Sequence, residues 1–376
     1  MKSLGLYIHI PFCTRKCLYC DFLSYPGMDD IFDKYIDAVI AELRLYENVL
    51  KDYTIDTVFI GGGTPSLFSP KQMSRMMRGL KDSCRLRAIE ISAEANPETL
   101  NAEKCEAYVQ SGINRLSIGL QSHDDEILKR IGRQHTFEQF INSLIAAKQF
   151  FDNINVDTIF SLPGQSLNSF IETVRRVIEL TVQHVSAYSL KIEPGTALAK
   201  DFFGADEQAD RKMYHGAVDM LKNAGYAHYE TSNFAKENKE CLHNTKYWTG
   251  ADYLGIGVSA HSYITNKGKV RFSNTESLTD YLELINGGEK PVAQTWKLAD
   301  SDEKLEYIML HLRLKNGIVF RDYSMRFDTD FQKTFDEPIA LTEKAGLIEV
   351  SKNGISPTLK GFDLQNTLIT EFIKKI

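Results

Sequence analysis

The segment CTRKCLYCDF (13–22) gathers three of the chain's six cysteines as C-x3-C-x2-C, at Cys13, Cys17 and Cys20. Thiolates this close along one loop bind a metal or pair with one another. A structural zinc takes four ligands, usually as two C-x2–4-C pairs, and Cys84, Cys105 and Cys241 form no second pair. Three thiolates suit a [4Fe–4S] cluster better, because three irons take protein ligands and the fourth stays open to an external chelate. Zinc completed by a distant histidine is the alternative. A second chemical signal is GGGTP at 61–65, where Gly61, Gly62 and Gly63 permit close backbone approach, positive φ and amides turned toward an anionic group.

These residues need a frame, and the first two-thirds of the chain supplies one. Short runs rich in β-branched and aromatic residues, at 4–10, 57–60, 88–94, 115–120, 155–160 and 184–190, predict strands. Amphipathic stretches alternate with them. One carries Tyr35, Val39, Leu43 and Tyr46 at spacings of three and four, and another opens with Ser69 as N-cap and Pro70 in the first turn. Six βα units in series predict an α/β fold with a parallel sheet, open or curled into a partial barrel. The unusual polar and glycine-rich text falls at or just past nearly every strand's C-terminal end: Cys13 to Cys20, GGGTP, EANP (94–97), LQS (120–122), LPGQ (162–165) and KIEPGT (191–196). In parallel βα folds ligands bind at that edge, so six loops are expected to face one site.

C-x3-C-x2-C after a first strand, with Tyr19 before the last cysteine and GGGTP after the second strand, resembles the radical S-adenosylmethionine superfamily. The resemblance implies a (β/α)6 partial barrel in which the methionyl amine and carboxylate of S-adenosylmethionine bind the open iron, and one electron cleaves its S–C5′ bond to a 5′-deoxyadenosyl radical. It narrows to the coproporphyrinogen oxidase-like (HemN/HemW) branch and covers essentially the whole chain. On that likeness YIHIPFC places Tyr7, GGGTP places Gly62, Gly63 and Thr64, SAEANP places Glu94, GLQS places Gln121, RIGRQH places Arg133 and NVDTIFSLPGQ places Asp157, all at nucleotide-contact positions. Two features favour the heme-chaperone side. The oxidase pattern adds a cysteine two residues after the third, and Phe22 stands there as an apolar wall. HNTKYW (243–248) matches the H-N-x-x-Y-W motif associated with heme binding, with His243 offering an imidazole to iron and Tyr247 and Trp248 flat surfaces to a porphyrin. The alternative for those three is a helix or turn in which His243 caps and the aromatics pack into the core. Cys241 and His261 are further candidates to meet heme or iron.

Composition limits the partners. A formal net charge of −6 argues against nucleic acid, and no stretch approaches the ~20 apolar residues of a membrane span. The opening apolar run runs into the cysteines without a cleavage site and is taken as a strand, which makes a cytoplasmic protein the expectation, with peripheral membrane association left open. The resemblance implies heme-acceptor proteins as partners, and an electron donor if the nucleotide is cleaved. Three regions are expected: a radical SAM core at 1–235, a linking segment with the heme motif at 236–290, and a C-terminal domain at 291–376. In the last, Asp300 and Glu303 are spaced as a capping box ahead of a helix carrying Leu305, Met309 and Leu312. Its end reads helix, Gly stop, strand, Asn-Gly hairpin, strand, helix, a winged-helix-like α+β unit.

Overall fold

Alternation along the first strand sets the architecture. In β1 (Lys2–Ile10), Leu4, Leu6, Ile8 and Ile10 are buried on one face, and Gly5, Tyr7 and His9 occupy the other. A computed structural model describes residues 1–202, 206–266 and 268–376 of the chain. The helices α1 (Phe32–Leu45), α2 (Pro70–Ser83), α3 (Ala102–Gln110), α4 (Phe137–Lys148) and α5 (Leu167–Glu179) alternate with β2 (Tyr53–Gly62), β3 (Leu86–Ala95), β4 (Arg115–Gln121), β5 (Ile154–Phe160) and β6 (His184–Ser189). The six strands are parallel and adjacent in chain order. All six expected strands are present. Ser69 caps α2 as read from the sequence, its hydroxyl accepting from the Gln72 amide while Gln72 returns to the Ser69 amide.

Each strand sends apolar residues such as Ile8, Val58, Leu116 and Val156 toward the helices, into one continuous core. The opposite face is polar: Thr57, Glu90, Glu94, Arg115, Ser117, Asn155, Asp157 and His184 alternate with the core positions. A parallel sheet with this division has a dry outer seam and a polar interior.

The segment past residue 226, which shows no βα rhythm in the sequence, extends this sheet on both sides. After α6 (Glu207–Asn223), the short β7 (Ala227–Glu230) and β8 (Asn233–Ala235) continue beyond β6 in antiparallel pairing. The chain then crosses through α7 (Leu242–Trp248) to β9 (Tyr253–Ile256), a seventh parallel strand beside β1. Seven helical residues are too few for a periodicity to show. Beyond β9 lie β10 (His261–Ile264), β11 (Val270–Asn274) and, after α8 (Leu278–Asn286), β12 (Val292–Lys297), all antiparallel. One buried carboxylate secures this extension to α1. Glu42 accepts from the Gly257 amide, the Asn274 side-chain amide and the Tyr281 hydroxyl, each at 2.7 Å.

The remainder builds a second core around Tyr307, Ile308, Leu312, Tyr323, Phe331, Phe335 and Phe372. It comprises α9 (Asp300–His311), β13 (Ile318–Val319), α10 (Phe320–Phe327), α11 (Asp336–Lys344), β14 (Ile348–Val350), β15 (Gly354–Pro357) and α12 (Gln365–Ile373), with the strands ordered β13-β15-β14. The Asn353-Gly354 hairpin joins β14 and β15 as read. The capping box is displaced by one position. Asp302, not Glu303, accepts from the Ala299 amide, and alanine has no side chain to reciprocate. Glu303 is buried instead and pairs with Arg326 at 2.9 Å and with Lys269. The buried residues of α9 include Tyr307 and Ile308, while Leu305 and Met309 are half-buried. Among the described residues no helix is long and apolar enough to cross a membrane.

Candidate functional site

A cavity of about 520 Å³ opens at the C-terminal edge of the parallel strands. Its wall includes Cys13, Cys17, Tyr19 and Cys20 from the loop after β1, Gly62, Gly63 and Thr64 after β2, Glu94 from β3, Gln121 from β4, Arg133, and Asp157 from β5. The cysteines and all but one of the expected nucleotide-contact residues therefore meet in one place. Tyr7 is the exception, lying one layer deeper against Phe59.

The cysteine loop is pinned at several points. Leu18 donates its amide to Ile131 and accepts from Leu198, the Tyr25 amide donates to Pro11, and Lys16 donates to the Phe22 carbonyl at 2.9 Å. The three cysteines are not joined by disulfides. The Thr64 hydroxyl donates to Cys13 Sγ at 3.5 Å, and Arg133 Nη1 points at Cys17 Sγ from 3.7 Å. Burial pushes the Cys20 thiol up to about 11 and raises that of Cys13, so a metal displaces protons as it binds. Among the described residues no three His, Cys, Asp or Glu side chains converge as a single metal ion requires. The three thiols line the cavity from one loop, which fits a cluster spanning several irons.

The glycines bear out only part of the reading: Gly62 adopts φ +109° and, with Gly63, lines the cavity. Their amides are not offered to a ligand: Gly62 N–H donates to Glu94 Oε2 at 3.0 Å, Gly63 N–H to Ile10 at 2.8 Å and Thr64 N–H to Phe12 at 2.7 Å. The β1–β2 pairing runs on past its expected end and takes the Gly63 and Thr64 donors, while the Glu94 side chain takes that of Gly62. Glycine is required at 63 for space, since a Cβ there would sit 2.5 Å from the Phe12 carbonyl oxygen and 2.7 Å from that of Ile10.

The charged lining is arranged around these contacts. Burial, reinforced by Asp157, pushes the Glu94 carboxyl up to about 7. Asp157 accepts from the Ser117 hydroxyl and the Asn155 amide, both at 2.8 Å. Arg133 bridges the Asn96 side chain at 2.8 Å and the Gly119 carbonyl at 2.7 Å. Gln121 adopts φ +70° at the end of β4, and its Oε1 is buried with no partner among the described residues. An orphaned acceptor at a strained strand end is what a missing donor leaves behind. The donor set, the unpaired Gln121 oxygen and the three thiols together fit a cluster with a nucleotide bound across it. Asn96, which also donates to Thr64 at 3.0 Å, and Ser117 were not singled out in the sequence. Strand alternation from Asp157 and Gln121 would have found Ser117.

Phe22 stands at the mouth of this cavity, 58% exposed. The HNTKYW residues lie elsewhere. Helix α7 crosses the opposite, N-terminal end of the strands and closes the floor of the polar interior. Glu90 on β3 accepts the amides of Leu242 and His243 at 2.9 and 3.0 Å, the Lys246 ammonium pairs with Asp56, and Cys241 is buried with its thiol toward Glu90. His243 is 0% exposed. Its Nδ1 meets the Thr57 hydroxyl at 3.0 Å and its Nε2 the Tyr247 hydroxyl at 2.9 Å, while its ring stacks on Phe59. Burial, with help from Lys246 and Arg115, holds the imidazole down at about 3, hence neutral. Tyr247 packs edge-on against Tyr253, and the Arg313 guanidinium lies over the Trp248 ring. In this arrangement His243 is a satisfied core histidine that does not line the cysteine cavity. His261 is exposed on β10.

Comparison with known proteins places this geometry among relatives. The radical SAM superfamily pattern matches residues 7–177 and the HemN C-terminal domain pattern residues 298–364. The chain is 34% identical to the heme chaperone HemW of Buchnera aphidicola subsp. Acyrthosiphon pisum over 100% of this chain and 99% of that protein. It is 32% identical to the heme chaperone HemW of Bacillus subtilis over the full length of both, and 34% identical to that of Escherichia coli over 94% of this chain and 96% of that one. Among solved structures, the coproporphyrinogen III oxidase HemN of Escherichia coli, a radical SAM enzyme, superposes with a TM-score of 0.86 at 25% identity, covering 100% of this chain and 91% of that chain.

Proposed function

The chain belongs to the radical SAM superfamily and, within it, to the HemW family, and from that premise we propose that it is a heme chaperone, binding heme and passing it to acceptor proteins. The observation that carries this reading over the oxidase alternative is Phe22. At the position where the oxidase pattern has its additional cysteine, this chain has an exposed ring that cannot ligate iron. Coproporphyrinogen oxidation is accordingly not its reaction.

Cys13, Cys17 and Cys20 hold the [4Fe–4S] cluster in this reading, and Tyr19, Gly62, Gly63, Thr64, Glu94, Gln121, Arg133 and Asp157 surround S-adenosylmethionine, with Tyr7 a layer behind them. When bound, the cluster supplies an open iron and one-electron chemistry. The protein's own contribution is spatial and electrostatic. Arg133 sets a half-buried cation against Cys17, Glu94 and Asp157 place carboxylates beside the nucleotide, and Gln121 brings an unpaired acceptor. His243, Tyr247 and Trp248 form the heme element. Because His243 is buried in the closed floor, heme ligation through its imidazole requires α7 to lift away, which exposes a neutral nitrogen ready to bind iron.

Anaerobically reconstituted protein, assayed for coproporphyrinogen decarboxylation and titrated with heme, tests the proposal. Saturable heme binding with no CO2 release is expected. Sustained decarboxylation, or no heme binding, overturns it.

A further inference from the structure

Arg313, in the turn after α9, stands beside the floor helix α7 with its backbone fixed and its side chain unengaged. Its carbonyl accepts from the Thr231 amide at 3.1 Å and the Thr231 hydroxyl at 3.2 Å, and the Lys315 amide donates to the Tyr229 carbonyl at 2.9 Å. These bonds tie the turn to the end of β7. The Arg313 guanidinium lies 5.8 Å from the centre of the Trp248 ring, at the last residue of α7, and both side chains are half-buried. Other cations near α7 have carboxylate partners: Lys246 has Asp56, Arg326 has Glu303 and Arg271 has Glu306. Arg313 has no carboxylate at ion-pair distance among the described residues, and its Nε is buried without an acceptor. Burial works against its charge, and Glu230, whose own carboxylate accepts from the Ser232 amide, supports it only from farther off. A guanidinium does not escape by losing its proton, so a desolvated one without an anion is costly unless a ligand brings the anion.

Heme is an apolar plane edged by propionate carboxylates. An imidazole and flat aromatics satisfy its iron and its face but leave that edge unmatched. From this geometry we infer that Arg313 binds a heme propionate, its guanidinium fork pairing with the carboxylate while Trp248 beside it meets the porphyrin face. The inference rests on the reading of HNTKYW as the heme element and extends it beyond the motif, into the C-terminal unit. Arginine and carboxylate match as planar, two-pronged partners, which a point charge such as lysine does not reproduce. His243 and Trp248 are five residues apart in the sequence, ~7.5 Å along a helix, so iron ligation by one and edge contact near the other fit within a single porphyrin. Gly250, left-handed at φ +60°, ends α7 just past Trp248. A lift of the helix that pivots there carries His243 outward and leaves Trp248 beside Arg313.

Heme and heme dimethyl ester, whose propionates carry no charge, separate this role from a structural one when each is titrated into full-length protein at the Soret band in the same detergent-containing buffer. Wild type is expected to bind heme about tenfold more tightly than the ester, the scale of one hydrogen bond to a charged group. Arg313→Met, which keeps most of the side chain's length and removes its charge, is expected to lose that preference. Heme then binds about tenfold more weakly, the ester binds within about twofold of wild type, and the Soret maximum, set by the iron's ligand, does not move. Equal losses for both porphyrins make Arg313 a structural residue and overturn the inference, as does a variant that keeps the wild-type preference. If Arg313→Met does not fold, Arg313→Gln decides on the same comparison: a lost preference supports the inference, and a retained one refutes it. Wild type that binds neither porphyrin refutes the heme reading itself, a result distinct from wild type that binds heme and ester alike, which refutes only the role of Arg313.

Discussion

Replacing Thr57 with valine tests whether α7 must leave the floor for heme to reach His243. The substitution keeps the β-branched shape on β2 and removes only the hydroxyl 3.0 Å from His243 Nδ1. In the closed state that nitrogen is then buried without a partner, since Nε2 alone keeps its bond to Tyr247. Leaving a buried polar group unsatisfied costs about 1–3 kcal/mol, and the open state, with the imidazole in water, bears none of that cost. The closed-to-open equilibrium therefore shifts toward open by about 1–3 kcal/mol, a factor of about 5–160 in population. If heme binds only the open form, its apparent affinity rises by the same factor for as long as closed protein predominates. Heme titration followed at the Soret band, on wild type, Thr57→Val and Thr57→Val/His243→Ala, reads this directly. Tighter binding in the single variant, abolished in the double, is expected. Unchanged or weaker heme binding in Thr57→Val, in protein whose His243→Ala variant has lost affinity, refutes the coupling: the imidazole would then reach heme without breaking the Thr57 contact.

Two further outcomes concern the cavity. Cys17→Ala is expected to lose most cluster iron and sulfide, while Phe22→Ala, which removes an exposed ring with no ligand atom, leaves the iron content unchanged; full iron in Cys17→Ala would remove that thiol from the ligand set. Glu94 titrates near 7 because burial and Asp157 oppose its charge, so its ionised, accepting form grows as pH rises through 7. S-adenosylmethionine affinity should accordingly fall by up to about tenfold per pH unit below 7 and level off above it, and a Glu94→Gln profile that keeps the wild-type slope would assign the effect to another group.

The candidate site was legible in the sequence where chemistry and strand order coincide. Cys13, Cys17 and Cys20, Thr64, Glu94, Gln121 and Arg133 sit at or after strand ends, so a parallel sheet brings them together whatever the details of packing, and Asp157 joins them from the middle of β5. The role of the glycines was not legible. Whether the Gly63 amide faces a ligand or a neighbouring strand depends on how far the β1–β2 pairing runs, and whether Glu94 reaches the Gly62 amide depends on strand register, for neither of which side-chain types carry a signal. The seventh parallel strand, β9, was hidden because it enters beside β1 through a helix of only seven residues.

The amino-acid sequence by itself determined the strand and helix alternation, the thiol spacing and the family, because these rest on local periodicity and on side chains a few positions apart. The tertiary structure alone decided which end of the strands HNTKYW occupies. His243 and Cys13 both carry metal-binding chemistry, yet Cys13 stands in the cavity at the C-terminal edge and His243 beneath the floor, with Thr57 and Tyr247 taking its two nitrogens. The hydrogen bonds that settle this join residues up to 186 positions apart. Such pairings come from the register of the strands and the path of the chain around the sheet, which local periodicity does not contain.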